Sequence, residues 1–466
     1  MARRIAGRNA LYRTAPAAVD GALLPVATRH PAPPLAPPAS AAEAPAVPGV
    51  SALVRWLVGM TIFLSISKFH GYFSILATIR APLLLSVASL ALLFLGPSRW
   101  RPGDLGRHWI PRAMGLLTVV AIGSIPFGIY PGQSLKIFNE VLSHTILLAI
   151  MVWAVARTPQ GVLFLMRALT LSMIGACALA LTIGRHDSGG RLAGGYAYDP
   201  NDLALIGVTG IPLIVWWALE RRNKLRWIIL LALPWMFQAI VKSQSRGGFV
   251  GLLVMTAGFF LLAIGPVDRR IKRIGLGAGL LVVLLIPTFP ADYLSHMKSI
   301  TADDDYNRTS LTGRKQVWKR GIGYAIERPI FGVGLGNFNS AEGRSQVAQD
   351  VQASGRGFKW GTAHNSFVQV IAELGFIGGG CFVFMIFGSI VGLVRLHRRT
   401  GRVDLLPPLF AIAFTGFAGS AFFLSWGYYD LTYVLIALSA GILMQSMPGQ
   451  GANFRTAPAG PPRLRG

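Results

Sequence analysis

The chain alternates runs of about 20 mostly apolar residues with short polar segments, and this alternation restricts its fold more than any other feature. A helix of that length crosses the hydrocarbon core of a bilayer, where no water is present to satisfy a non-helical backbone. We therefore predict an all-α fold, a polytopic membrane helix bundle of about twelve transmembrane helices. The predicted spans are 52–67, 73–96, 113–130, 135–156, 162–184, 202–219, 226–242, 247–266, 273–290, 365–394, 405–424 and 427–446.

The composition suits lipid as the solvent, because 53% of the residues are hydrophobic and only 14% are charged. A net charge of +25 would also suit a protein that binds nucleic acid. The basic residues, however, fall in short clusters between apolar runs, so we predict the lipid bilayer as a partner and no nucleic acid. The two cysteines, Cys177 and Cys381, lie inside apolar runs without metal-ligand spacing around them. We expect no metal and no cofactor.

The distribution of Arg and Lys predicts the orientation in the membrane, since cytoplasmic loops carry an excess of both. Alternate loops are basic when both termini are placed in the cytoplasm. The basic residues of these predicted cytoplasmic loops are Arg99, Arg101, Arg107, Arg112, Arg157, Arg221, Arg222, Lys224, Arg226, Arg269, Arg270, Lys272, Arg273, Arg395, Arg398, Arg399 and Arg402.

Three segments differ from the apolar body at 51–447. Residues 1–50 are rich in Pro, Ala and Arg, residues 448–466 are similar, and both are predicted to be disordered cytoplasmic tails. The loop at 291–363 falls on the opposite side of the membrane and is longer than ordinary connections. Its second half is predicted to be helical, because apolar residues recur there at helical spacing, namely Val317, Trp318, Ile322 and Ala325.

Basic residues on the face opposite the cytoplasm need a separate explanation, since the topology rule does not favour them. Arg191 lies just before a helix, Arg246 at the start of another, Arg314 on the long loop, and His364 where the chain re-enters the membrane. The arginine fork matches phosphate oxygens two at a time and stays charged. The pattern predicts an anion site at the level of the lipid headgroups, where a lipid-linked diphosphate also lies.

Each of these residues also has a simpler interpretation. An arginine on this face can extend to the headgroup phosphates. Arg314 can be an exposed loop charge, and a lone histidine at a helix start is often a cap or a satisfied polar group.

Polar motifs predict helix starts beside these residues. Ser366-x-x-Gln369 fits a capping box that leaves His364 just outside a helix. Asp199 and Asn201 are candidate caps of another helix.

Two acidic residues lie within apolar runs. Glu140 is predicted to pair with Lys136 one helical turn away. Glu373 follows His364 by about nine residues, so we expect it to lie too deep to reach the same substrate atom.

Three blocks of sequence resemble the O-antigen ligase and O-antigen polymerase family of bacterial envelope proteins. They are Ser245-Arg246-Gly247-Gly248; Thr312-Gly313-Arg314-x-x-x-Trp318 continuing to Pro329-Ile330-Phe331-Gly332-Val333-Gly334-x-Gly336-Asn337-Phe338; and His364-Asn365-Ser366-Phe367-Val368-Gln369 continuing to Glu373-Leu374-Gly375-Phe376-Ile377-Gly378. A weaker fourth block is Arg191-Leu192 followed by Asp199-Pro200-Asn201. The long Pro-rich N-terminal tail is not a family feature.

The resemblance implies glycosyl transfer without nucleotide or metal at the periplasmic face of the bacterial inner membrane. The implied donor is an oligosaccharide linked to undecaprenyl diphosphate, and the implied acceptor is another glycan, lipid A core or protein. Arg191, Arg246 and Arg314 would bind the diphosphate, and His364 would accept the proton of the acceptor hydroxyl. His364 and Arg314 would be the catalytic residues.

Two other classes of function remain open from the sequence. A multi-helix transporter of polysaccharide precursors would share the helix count, although transporters tend to place polar groups on broken helices at the membrane midplane. A non-catalytic component of a polysaccharide export complex would also fit.

Overall fold

A computed structural model describes residues 50–96, 106, 108–195, 197–220, 225–263, 273, 277, 313–353, 355, 361–400 and 404–445. All of them belong to one unit, Ala46–Gly466. The predicted tails, the predicted span 273–290 and the first part of the long loop lie outside the described residues.

The described residues form an almost entirely helical structure, which confirms the predicted all-α class. In the first half of the chain the helices are α1 (Ala52–Ser67), α2 (Ser74–Thr78), α3 (Ala81–Leu95), α4 (Trp109–Phe127), α5 (Pro131–Ile137), α6 (Ser143–Val155), α7 (Pro159–Ile183) and α8 (Pro200–Glu220). In the second half they are α9 (Leu225–Leu230), α10 (Ala232–Ser243), α11 (Arg246–Ala263), α12 (Arg314–Glu327), α13 (Phe338–Arg344), α14 (Gln346–Ala353), α15 (Ser366–Arg399), α16 (Leu406–Ala421) and α17 (Asp430–Met444).

Short elements complete the described fold. A 3₁₀ turn at Phe69–Tyr72 follows α1, and a π-helical segment at Phe138–Leu142 joins α5 to α6. The two short strands β1 (Arg185–His186) and β2 (Leu192–Ala193) pair antiparallel, with Arg185 opposite Ala193.

Every predicted span except 273–290 coincides with helix, but the helices differ in length. By length and composition, six segments of the described chain are long and apolar enough to cross a membrane: Trp109–Phe127, Pro131–Val155, Pro159–Ile183, Pro200–Glu220, Leu225–Ser243 and Ser366–Arg399. Shorter apolar helices lie at Ala52–Ser67, Ala81–Leu95, Arg246–Leu261, Leu406–Ala421 and Asp430–Met444. The total of twelve spans therefore remains a prediction.

The bundle is organised around α8, which packs against α7, α10, α11 and α16. In its most apolar window 83% of the residues are buried, more than in any other of the six segments. A helix surrounded in this way is apolar on all sides, and its buried residues include Leu205, Val208, Leu213 and Ile214.

The predicted span 73–96 is interrupted in the structure. The chain turns at Lys68 and again at Arg80, and both residues have left-handed backbone conformations, with φ of 55° and 50°. The helix α3 therefore begins only at Ala81.

The predicted pair of Lys136 and Glu140 does not form an ion pair in the described structure. The π-helical segment that contains Glu140 changes the angular spacing of side chains between α5 and α6. Glu140 instead lines a cavity.

Candidate functional site

The helix α12 provides Arg314 and packs on the body through one face. Val317, Gly321 and Ala325 are buried on that face, as helical spacing predicts. Ile322 was expected on the same face but is 36% exposed, because it lies about 100° around the helix from Gly321.

Trp318 joins α12 to the segment that carries His364. Its indole Nε1 donates a hydrogen bond of 2.8 Å to the carbonyl of Ala363, and its ring meets Phe422 edge-on with centroids 5.2 Å apart. Arg314 lies one turn before Trp318 on the same side of the helix. The Thr-Gly-Arg-x-x-x-Trp spacing thus places the arginine beside the histidine.

His364 lies immediately outside α15, as predicted, in a left-handed conformation with φ of 44°. Its backbone N–H donates to Ser425 Oγ at 3.0 Å. The predicted capping box is wrong in its residues, because the cap of α15 is Asn365, whose side chain accepts from the N–H groups of Phe367 and Val368. Ser366 instead donates its hydroxyl to the Leu424 carbonyl at 2.7 Å.

The surroundings of His364 favour its neutral form. The atoms packed around the ring lower its pKa below the ordinary 6.5, and the neighbouring Arg314 guanidinium lowers the pKa further, while Asp199 opposes both. The residue as a whole keeps an exposed surface. At neutral pH the imidazole is therefore mainly uncharged and able to accept a proton.

The start of α8 meets the start of α11 in the same region. Asp199 caps α8 by accepting from the N–H groups of Asn201 and Asp202, at 2.7 and 2.8 Å, which confirms one of the two candidate caps. Asn201 does not cap α8; its Oδ1 accepts from Ser245 Oγ at 2.8 Å. Ser245 also accepts from the Gly248 N–H at 3.0 Å and so caps α11, which begins with Arg246.

The helix starts differ in whether their N–H groups are already occupied. At the starts of α8, α11 and α15, backbone N–H groups already donate to the side chains of Asp199, Ser245 and Asn365, respectively. Among the described residues, no side chain caps the start of α12, where Gly313 is the cap residue. Of these four starts, the N-terminus of α12, next to Arg314, is the one whose first N–H groups could serve an anion.

Arg191 lies in the hairpin between β1 and β2 and pairs with an acid of the same turn. Its Nε and Nη2 bind Asp187 Oδ2 at 2.8 and 2.7 Å, and its backbone N–H donates to Asp187 Oδ1 at 2.9 Å. The geometry makes Arg191 a local clamp of the hairpin. An incoming anion would have to compete with Asp187 for its guanidinium.

Glu373 holds the glycine-rich segment that follows α12. The carboxylate is 2% exposed and accepts from the Gly336 N–H at 3.0 Å and the Phe338 N–H at 3.1 Å. The Gly334 N–H donates to the Glu373 carbonyl at 3.0 Å. Glu373 therefore fixes residues 329–338, the Pro-Ile-Phe-Gly-Val-Gly-x-Gly-Asn-Phe motif that resembles the family.

Glycine is required in that segment by the backbone. Gly332, Gly334 and Gly336 all have positive φ, at 60°, 95° and 70°, a region that residues with side chains rarely adopt. The segment also continues to the end of α4, where the Ile129 N–H donates to the Val333 carbonyl at 2.9 Å.

A second acid fixes α13 on α12. Glu342 is 1% exposed and accepts from Arg320 Nε at 2.9 Å and from Tyr324 Oη at 2.7 Å.

We refer to α12–α14, residues 328–337, the start of α15 up to Gly375 and the turn at 422–429 as the loop assembly.

Some buried polar atoms near His364 have no hydrogen-bond partner within the described part of the chain. They belong to the segment around His364 and are Thr362 Oγ1, Asn365 Nδ2 and Gln369 Oε1. Buried polar groups are normally satisfied, so such atoms are candidates for contacts with a polar substrate.

The sequence interpretation missed the turn between α16 and α17. Trp426 is 2% exposed and donates its Nε1 to Asp202 Oδ1 at 2.5 Å. Its backbone N–H donates to Ser366 Oγ at 2.8 Å. Trp426 therefore connects α8 to α15 beside His364, and no local spacing reveals a contact between residues so far apart in the chain.

No cluster of three or more His, Cys, Asp or Glu side chains in the described residues is placed to hold a metal ion. Metal independence remains a prediction.

The family described as O-antigen ligase matches residues 231–383. This range includes Arg246, Arg314, His364 and Glu373, whereas Arg191 lies outside it. No curated protein gives a significant match to the chain. The family match supports a membrane glycan-transfer function of the O-antigen ligase or polymerase type. Over residues 231–383, the chain is therefore similar to the O-antigen ligase family.

Proposed function

We propose that the protein transfers a glycan from an undecaprenyl-diphosphate carrier to an acceptor at the periplasmic face of the bacterial inner membrane. The acceptor classes are another lipid-linked glycan, lipid A core and protein, and we favour polymerisation or ligation of a secreted polysaccharide. Both termini would lie in the cytoplasm. The family match supports the reaction type, and the arrangement around His364 supports the roles of the residues.

The diphosphate would bind where Arg314 meets the open N-terminus of α12. Two kinds of donor converge there, because the guanidinium fork and the first backbone N–H groups belong to the same turn. Arg246, at the start of α11, would bind a second part of the diphosphate. Arg191 would contribute after exchanging Asp187 for phosphate, so its contribution should be smaller than that of Arg314.

His364 would act as the general base. Its lowered pKa leaves a neutral imidazole at the pH of the periplasm, and its exposed surface admits an acceptor hydroxyl. In the reaction, the bond between the sugar C1 and the phosphate oxygen breaks as the acceptor oxygen forms a bond to C1. The acceptor proton passes to the His364 ring, and the diphosphate leaves with its electron pair. The arginines stabilise the negative charge that develops on the leaving group.

The observation that carries this proposal is the proximity of Arg314 to His364: the guanidinium lowers the pKa of the imidazole, and Trp318, one turn after Arg314, donates a hydrogen bond to Ala363 next to His364. This proximity supports a site in which Arg314 donates hydrogen bonds to phosphate while His364 accepts a proton. The test is incubation of the purified chain with lipid-linked repeat units, with and without a chelator, followed by gel analysis of product length.

Arg314→Ala should lower the rate about 10²–10³-fold, as the loss of one oxyanion donor does in other enzymes. Arg314→Lys should recover part of the loss, because lysine keeps the charge but not the fork. The matched control is Lys315→Ala, which removes an exposed cation from the adjacent position. Equal rates for Arg314→Ala and Lys315→Ala, in protein that is correctly inserted, would contradict the proposal.

A further inference from the structure

The helix α12 has an exposed face opposite the face that packs on the body. Lys319, Ile322 and Ile326 are exposed on it within the described parts of the chain. At about 100° per residue, these three side chains fall within about 60° of one another. Ile326 and Ile330, which follows the helix, are 65% and 55% exposed. Three isoleucines about one turn apart, on a face that the described chain does not cover, indicate a surface that contacts another molecule.

The segment that follows α12 is attached to the ends of two apolar helices. Arg328 Nη1 donates to the Phe127 carbonyl at 3.1 Å, and the Phe331 ring stacks on the Phe127 ring with centroids 4.9 Å apart. The Phe376 N–H donates to the Pro329 carbonyl at 2.8 Å. Phe127 ends α4 and Phe376 belongs to α15, and both helices are long and apolar enough to cross a membrane. The C-terminal end of α12 therefore lies beside two candidate membrane spans.

The exposed faces of these two spans are also apolar. Val119 and Ile122 are exposed on α4, and Phe376 and Ile377 are exposed on α15. On a helix that crosses a bilayer, such a face contacts lipid. Ile330 continues this apolar surface onto the segment after α12, because it directly follows the residue that binds the Phe376 N–H. This continuity identifies lipid as the partner of the exposed isoleucines.

The charge of α12 suits the same partner. The helix contains four basic residues and one acidic residue, so its field attracts negative groups. Lys319 lies on the exposed face, about one turn before Ile322. A lysine in this position can lay its aliphatic part along the apolar boundary and extend its ammonium to a phosphate. Basic and apolar side chains in this arrangement are typical of helices that lie in the membrane interface.

We propose that α12 lies in the lipid headgroup layer on the side of the membrane where His364 lies. Ile322, Ile326 and Ile330 insert at the boundary with the acyl chains, and Lys319 contacts lipid phosphate. Arg314 begins the same helix, so this contact holds its guanidinium at the depth of the headgroups. The contact with lipid rests on the geometry of α12, whereas its effect on glycan transfer rests on the proposed function.

The test of the lipid contact is the depth of a nitroxide label at Ile326→Cys in lipid nanodiscs, in a Cys177→Ala/Cys381→Ala background. Oxygen concentrates in lipid and a nickel chelate stays in water, so the ratio of their collision rates with the label reports its depth. We expect this ratio to be several-fold higher at Ile326→Cys than at Asp350→Cys, the matched control on the exposed polar side of α14. A label at Ile326→Cys that nickel reaches more than oxygen overturns the proposal. A label that neither reaches also overturns it, because protein then covers this face.

The contribution of charge is tested by Lys319→Gln in the labelled protein. In nanodiscs of phosphatidylglycerol this change should lower the ratio at Ile326→Cys, because one attraction to the headgroups is lost. The matched control is Lys68→Gly/Arg80→Gly, which removes two cations elsewhere and should leave the ratio unchanged. An equal fall in both proteins would show that the net charge of the protein matters, and would contradict the contact of Lys319.

The two cations of this control line a cavity of about 680 Å³ between α1, α3, α6 and the start of α17, which we refer to as the cavity at α1–α3. The cavity lies at the same end of the bundle as α12, since Lys68 Nζ is 6.0 Å from the centroid of the Tyr198 ring, which stacks on Trp426. Lys68 and Arg80 both have positive φ, a conformation that glycine adopts without the steric penalty. The unfolding midpoint of the double glycine variant should therefore stay the same or rise.

The effect on transfer is tested by Ile322→Ser/Ile326→Ser, with the label moved to Ile330→Cys. Both isoleucines are exposed, so the unfolding midpoint in detergent should not change. The label should move towards water and transfer in vesicles should fall at least about tenfold, since burial of one isoleucine alone contributes a factor of that order. Unchanged transfer in a variant whose label has moved into water would overturn the link between the lipid contact and Arg314. A parent protein that transfers no glycan would refute the proposed function, while the label at Ile326→Cys still decides the lipid contact.

Discussion

The loop assembly and the cavity at α1–α3 differ in whether their charged residues have partners within the described chain. In the loop assembly, the buried acids Glu373 and Glu342 each accept several hydrogen bonds. In the cavity, Lys68 and Arg80 have no ion pair within the described chain and occupy strained turns.

The first pattern stabilises the fold, whereas the second leaves charged side chains without an ion pair among the described residues. A buried carboxylate that accepts two backbone N–H groups stabilises the folded state, and its loss leaves those donors unsatisfied. A left-handed backbone is less favourable for lysine or arginine than for glycine, although helices such as α1 commonly end in one. His364 combines both patterns, because its backbone is anchored to Ser425 while its ring remains open.

The largest effect should come from the ring of His364. His364→Ala should lower glycan transfer about 10²–10⁴-fold, the usual contribution of a general base. The unfolding midpoint should change little, because the anchoring bond uses the backbone N–H. Product formation on gels and unfolding in detergent measure the two effects. His186→Ala, at an exposed histidine of β1, is the control; comparable rates for both variants would remove His364 from the mechanism.

A second variant should act on stability. Glu373→Gln places an amide NH₂ against one of the N–H donors of Gly336 and Phe338, and should lower the free energy of unfolding by about 1–3 kcal/mol. Thermal unfolding in detergent measures it. Glu327→Gln, at the exposed end of α12, should leave the midpoint unchanged. If Glu373→Gln were as stable as the parent while the glycine variants at Lys68 and Arg80 were less stable, the contrast between the two regions would fail.

A smaller effect is expected from Trp318→Phe. This change removes the hydrogen bond to Ala363 but retains a ring against Phe422, so stability should fall by only about 1 kcal/mol. Transfer should fall by a larger factor, because Arg314 and His364 are no longer held at a fixed separation. The ratio of rate loss to stability loss distinguishes this role from simple packing. Trp227→Phe, at an exposed tryptophan of α9, should affect neither.

The smallest effect concerns pH. The pKa of His364 lies below 6.5, so activity should be complete at neutral pH and decline as the pH falls through that lowered value. Arg314 is one cause of the lowering, so Arg314→Gln should move the acid limb of its residual activity to higher pH. Arg314→Lys keeps the charge and should leave the limb near its original position. Rate–pH profiles of the three proteins provide the measurement; coincident acid limbs would show that another group titrates.

Sequence predicted the parts of this protein that depend on local order. Apolar runs located the described helices, and helical spacing placed Val317 and Ala325 on the buried face of α12. His364 was correctly placed outside a helix. The predicted cap was wrong, because Ser366 donates to the Leu424 carbonyl in the turn after α16. A local sequence motif cannot predict a partner that far along the chain.

The rest depends on contacts between distant segments. The pairing of Asp202 with Trp426 and of Glu373 with Gly336 follows from how helices pack, which periodicity does not determine. The ion pair of Arg191 with Asp187 could have been predicted from the sequence, because the two residues are four positions apart in one turn. The interpretation of Arg191 as an anion ligand did not take this acid into account.

One further consequence follows from the interruption of α15 at Gly375, whose φ of 67° and ψ of −171° belong to glycine alone. There the Phe376 N–H donates to the Pro329 carbonyl at 2.8 Å. The nine residues of α15 before the break are therefore attached to the segment 329–338. We therefore expect the part of α15 after Gly375 to tilt in a thinner or thicker bilayer without rotating the end that carries His364. Transfer rates in short-chain and long-chain phosphatidylcholine should agree closely, and Gly375→Ala, which brings a methyl group against Pro329, should make the enzyme sensitive to lipid chain length.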